Sequence, residues 1–140
     1  MSGINPTFLE GGPDTVTVSV AVTGGQLLMA DGSNVGQAKP ATAGATTCLG
    51  VALADGQPLS ARTNLNFSTA RNVVAVAYGG MDVPGVTYAA NCAWGVKLKA
   101  AATGQVTPLV GGETADQIVG ICAEPAGVLS GATGRVRLTV

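Results

Sequence analysis

Three cysteines, Cys48, Cys92 and Cys122, are the strongest nucleophiles in the chain, and no histidine accompanies them because the sequence contains none. Without an imidazole, any thiol or hydroxyl nucleophile would need Asp, Glu or Lys as its base. Neither Ser-x-x-Lys nor Gly-x-Ser-x-Gly occurs. The nearest acidic groupings, Glu113 with Asp116 and Asp82 beside Met81, read as turns or solvated surface. Gly79-Gly80 and Gly111-Gly112 lack the Gly-Lys-Ser/Thr of a phosphate loop and read as turns as well. The cysteines are far apart, odd in number and without a CxxC pair, which supports neither a zinc site nor a disulfide framework. Small buried core residues are the expectation for them. The sequence therefore predicts no enzyme, no catalytic residue, no metal ligands and no cofactor.

Binding chemistry is equally sparse. A ligand site built on exposed aromatics could use only Trp94, Tyr78 and Tyr88, besides two phenylalanines. Trp94 precedes an apolar run and is expected to cap the core. Seven basic and eight acidic residues give a net charge of -1, and no basic cluster exceeds Arg135-Val136-Arg137 or Lys97-Leu98-Lys99. That leaves no electrostatic footprint for nucleic acid. No stretch approaches the roughly 20 apolar residues of a membrane span. The first residues have neither a basic region nor an apolar run, so no secretory signal is expected.

With chemistry set aside, the architecture becomes the informative part. Gly, Ala, Val and Thr make up more than half of the 140 residues, while charged residues are only 11%, well below the ~25% of ordinary domains. Such a thin core favours association with a partner, and a homo-oligomer is expected. Residues 1–14 carry Pro6 and Gly11-Gly12-Pro13 among Ile4, Phe8 and Leu9 and read as an extended arm. Residues 15–140 read as one β domain. In Thr15–Val22 the valines Val16, Val18, Val20 and Val22 alternate with polar or small residues, the pattern of a half-buried strand. Further strand-like runs are Gln26–Ala30, Cys48–Leu53, Asn72–Tyr78, Gly95–Ala100, Gln105–Leu109, Gln117–Ala123 and Gly134–Val140. Pro40–Thr47 reads as a loop, and helix is confined to a turn or two in Thr87–Ala93 or Thr114–Gln117. Short, regularly spaced strands predict an all-β fold, a small β-barrel or β-sandwich.

A weak internal repeat at an offset of 70 strengthens this reading. Gly25 meets Gly95, Leu28 meets Leu98, Ala30 meets Ala100, and Leu49-Gly50-Val51 meets Val119-Gly120-Ile121. Farther on, Asn72–Val76 aligns with Gly134–Leu138 at an offset of 62. Two similar β-units that cannot each bury their own face would close one core, containing Val16, Val18, Val51, Val74, Val76, Leu98, Ile121, Val136 and Leu138. The glycine inside each apolar-Gly-apolar strand predicts a bulge or a close backbone approach.

The order of these units, the motifs Cys48-Leu49-Gly50-Val51-Ala52-Leu53, Val74–Val83 and Ile118-Val119-Gly120-Ile121-Cys122-Ala123, and the closing Gly134–Leu138 resemble the capsid decoration (cement) proteins of tailed bacteriophages. The resemblance spans about residues 24–140. It implies a small β-barrel or sandwich, a homotrimer on the virion capsid surface, the major capsid protein as partner, and synthesis in the cytoplasm of a bacterial host. An N-terminal arm often fastens such proteins, which makes Ile4, Phe8 and Leu9 the candidate capsid contacts. The implied function is to bind the assembled capsid and stabilise it by bridging neighbouring subunits. The alternatives are a ligand- or carbohydrate-binding module of a phage fibre and a tail-tube or surface-layer subunit.

Overall fold

The computed structural model describes residues 14–58 and 72–140, and within them the fold is almost entirely β. The first five strands are β1 (Asp14–Val18), β2 (Leu27–Ala30), β3 (Gln37–Pro40), β4 (Cys48–Ala52) and β5 (Val73–Ala77). They close into a barrel in the order β1-β3-β2-β4-β5, with β5 returning antiparallel to β1 and β3 running parallel to it. Closure leaves no free sheet edge, which suits a chain with few charges to guard one.

The remaining strands are β6 (Asp82–Thr87), β7 (Lys97–Ala100), β8 (Val106–Pro108), β9 (Ile118–Cys122) and β10 (Thr133–Leu138), ordered β6-β10-β9-β7-β8. A parallel bridge between Tyr88 and Val106 joins the two ends of this sheet. It is the counterpart of the Val18–Ala38 pair that joins β1 to β3. The second half is thus a second small barrel of the same design, and the internal repeat is real. Its late register needs correction. Val76 pairs with Ala52 and Val136 pairs with Cys122, so Val76 corresponds to Val136 and Ala77 to Arg137. That is two residues away from the register the sequence suggests, because valines match in type at either register and only their strand partners tell the two apart.

The two strand glycines explain the repeat physically. At Gly50, a Cβ would lie 2.0 Å from the Ala77 carbonyl oxygen and 2.8 Å from Val76 Cγ1; at Gly120 it would lie 2.4 Å from the Arg137 carbonyl oxygen and 3.0 Å from Val136 Cγ1. Both glycines sit at bulges, where Leu28 faces Gly50 but Met29 faces Cys48, and Leu98 faces Gly120 but Lys99 faces Ile118. A bulge tightens the bend that a small barrel requires.

Packing follows strand alternation. Leu28, Ala52 and Val76 point into the first barrel with Val18, Val22, Ala38 and Val74. Their neighbours Leu27, Val51 and Ala77 point outward into a larger cluster that also contains the second barrel's interior. The expected single core is therefore two clusters: Val18, Val74 and Val76 occupy one, and Val51, Leu98, Val136 and Leu138 the other. Val16 and Ile121 are only half-buried.

The junction is also hydrogen-bonded. Gly44 N donates to Ala100 O at 3.0 Å, Gly104 N to Ala41 O at 2.9 Å, and Gln117 Nε2 to Gly44 O at 3.1 Å.

Some elements differ from expectation. The first strand ends at Val18, and Val20 is exposed. No helix forms over residues 87–93, and the helical turns are short 3-10 segments at Ala102–Gly104 and Ala115–Gln117. Strands β3 and β6 form without a clear strand pattern in the sequence, because Gln-Ala-Lys-Pro has no β-branched residue and Pro84-Gly85 interrupts β6. The register of β6 against β10 shifts at that interruption, so the proline sits at a bulge rather than in a regular ladder.

Candidate functional site

The groups that could react are held in structural roles. Cys92 and Cys122 are buried, and Cys48 is partly covered. Burial pushes the Cys48 thiol up to about 11 and, with Cys122 nearby, the Cys92 thiol up to about 12, which disfavours the nucleophilic thiolate. Among the described residues, no group of three or more His, Cys, Asp or Glu could hold a metal ion.

The acidic residues act as clasps. Asp31 accepts from Ser19 Oγ at 2.6 Å, Asn34 Nδ2 at 2.8 Å and Ser33 N at 3.0 Å, and these bonds hold its carboxyl well below the usual range. Glu113 accepts from Lys99 Nζ at 2.6 Å, Val110 N at 2.8 Å and Gly111 N at 2.7 Å; Lys99 is the main cause of its fall to about 2. Asp82 receives a two-pronged contact from Arg137, at 2.7 and 3.1 Å, on the exposed faces of β6 and β10. Each carboxylate is engaged by donors that pin a turn or a strand pair.

The remaining candidates are surfaces. Trp94 does not cap the core: it is 67% exposed, as is Leu129 at 72%. Both line an open depression of about 440 Å³ together with Asn91, Pro125 and Ala126. The residue that caps an interior is Tyr88, which is fully buried and donates from its hydroxyl to Arg135 O at 2.8 Å.

A second, more apolar concavity of about 300 Å³ lies at one end of the first barrel, where β1 and β4 begin and β5 ends. It is lined by Asp14, Val16, Cys48, Leu49, Val76, Tyr78 and Val140. No local sequence signal marks it, because its lining comes from four separated segments. The expected capsid contacts Ile4, Phe8 and Leu9 lie outside the described residues.

No family model matches the chain, and no curated protein matches it in sequence. A solved structure does match: the head fiber gp8.5 N base of bacteriophage phi29, at 14% identity and a TM-score of 0.62, over 91% of this chain and 93% of that one. Because the match spans both barrels and nearly the whole of each chain, the chain shares its fold with the N base of a phage head fiber.

Proposed function

We propose that this protein is a structural component of a phage virion that binds the outside of the assembled capsid and stabilises it by bridging neighbouring major capsid subunits. The observation that carries the reading is the shared fold with a phage head fiber base over nearly the full chain. A surface with few charges, and reactive groups committed to clasps and cores, agree with a role that is mechanical. At about 25 cal/mol per Å² of apolar area, an interface of ordinary size supplies several kcal/mol after association costs. Repetition over many identical shell junctions multiplies that contribution. Assembly as a homotrimer would let one particle reach several neighbours.

The test is co-sedimentation of the purified protein with undecorated, expanded shells, followed by the melting temperature of the decorated shells. Saturable binding with a raised melting temperature is expected. Binding without stabilisation would reduce the role to attachment, and no binding would overturn it.

The exposure of Trp94 supports a second reading, a carbohydrate-binding surface of a fibre-like protein. A sugar stacking on the indole would shift Trp94 fluorescence saturably in a titration with neutral oligosaccharides.

A further inference from the structure

The two barrels share one design, yet the junction between them uses a different side of each. The first barrel contributes an outer face, where Leu27, Val51 and Ala77 are buried, and the second contributes its mouth, where Val83, Val86, Val119 and Leu138 are buried in the same cluster. Strand register then identifies the two equivalent surfaces that the junction leaves unused. The mouth of the first barrel carries Asp14, Val16, Leu49 and Tyr78 at the matching positions, and the outer face of the second carries Lys97, Ile121 and Arg137.

These unused surfaces suit each other. The open mouth keeps an apolar lining, the 300 Å³ concavity, although Leu49 is 38% exposed and Tyr78 37%. Where the buried mouth has Val83, the open one has Asp14, the single charged side chain of its lining. Where the buried face has Leu27 and Ala77, the open one has Lys97 and Arg137 around the half-buried Ile121. An acid on one surface thus stands against bases on the other, around apolar centres.

Trp94 adds an independent sign. At the edge of the junction, Gly24 and Gly25 line a concavity together with Val83 and Gly85. The matching turn of the second barrel is Trp94-Gly95: Gly25 N donates to Ala52 O, and Gly95 N to Cys122 O, both at 2.8 Å. A repeat of the junction between molecules would therefore lay the exposed indole over the rim that holds Asp14.

We infer that the outer face of the second barrel, centred on Ile121, docks on the open mouth of the first barrel in another copy of the chain. The contact repeats between molecules the junction present within one, and it rests on the homo-oligomer of the proposed function. Because it joins unlike surfaces, each copy gives one face and receives one, and a closed ring satisfies every copy.

Both surfaces carry their own reporters, since Trp94 is the only tryptophan and Cys48 lines the mouth. A dilution series of the full chain is followed by sedimentation, tryptophan emission and the rate of Cys48 labelling with a thiol reagent. Association should move the emission to shorter wavelength and slow the labelling by about tenfold or more, with one shared midpoint. Leu49→Asp in the mouth and Ile121→Asp on the face should each raise that midpoint roughly a hundredfold while circular dichroism stays native. Loss in Ile121→Asp alone would mean that the face pairs with itself, and it overturns the inference.

Should either variant fail to fold, the exposed Asp14→Lys and Lys97→Glu take their place. Each sets like charges across the contact and should raise the midpoint about three- to tenfold; unchanged midpoints overturn the inference. An oligomer that leaves Trp94 and Cys48 accessible overturns the contact but keeps the oligomer of the proposed function. A chain that stays monomeric overturns both, while capsid binding is decided separately by co-sedimentation with shells.

Discussion

The two barrels share one frame and fill it differently. Position by position, Val18, Ala38, Ala52 and Val74 of the first interior become Tyr88, Val106, Cys122 and Gly134 in the second. The large Tyr88 fits because Gly134 makes way: a Cβ there would come within 2.3 Å of Val128 Cγ2 and 3.4 Å of Tyr88 Cε2. Tyr88 brings more bulk than Val18, and beside it Gly134 gives up the side chain that Val74 has, a local compensation of the kind dense packing demands of neighbouring core positions. The outer faces diverge for a different reason. Leu27 and Ala77, buried where the barrels meet, correspond to Lys97 and Arg137, both exposed. Among the described residues nothing covers that face of the second barrel, and an uncovered face of a repeated unit suits polar side chains.

The most severe test of this equivalence is Gly50→Val or Gly120→Val. Each would drive a side chain into the carbonyl of the adjacent strand, and either should abolish the folded β signal in circular dichroism. A folded Gly120→Val protein would break the claim that both bulges serve the same closure.

Exchanging the junction residues comes next. Leu27→Lys buries a charge without a partner and should cost about 4 kcal/mol or more. The reverse change at the equivalent position, Lys97→Leu, should stay within about 0.5 kcal/mol. Equal effects in denaturant unfolding would show that the two faces are not distinguished by burial.

A double-mutant cycle sharpens the interior comparison. Tyr88→Val should cost about 3 kcal/mol through the space it empties and the lost hydrogen bond. Gly134→Val restores the first barrel's residue but collides with Tyr88 and Val128. The double variant should recover about 1 to 3 kcal/mol relative to the sum of the singles, and strict additivity would refute volume exchange.

The smallest effect is acid sensitivity, because each barrel carries a carboxylate that pins a turn. Asp31 in the first and Glu113 in the second both have depressed folded pKa values, so their stabilisation is present above the ordinary carboxylate range and lost as pH falls. For Glu113 the loss runs from its ordinary value of 4.5 down through about 2. Glu113→Gln should flatten the decline of melting temperature over that window, and an unchanged slope would remove Glu113 from the account.

The β class, most of the strands and the two-unit repeat are legible in the residues alone, since alternation and strand glycines are local signals set by the pleat and by backbone contact. So is the absence of histidine, which shaped every functional expectation. That the units are two barrels rather than walls of one core is set by long-range pairing, because closure depends on the parallel pairings of Val18 with Ala38 and Tyr88 with Val106. Tertiary structure likewise decided the exposure of Trp94, the burial of Tyr88 and the open mouth beside Tyr78. Whether an aromatic residue caps an interior or faces water depends on what packs opposite it, and Gly134, the residue that makes room for Tyr88, lies 46 positions away in the chain.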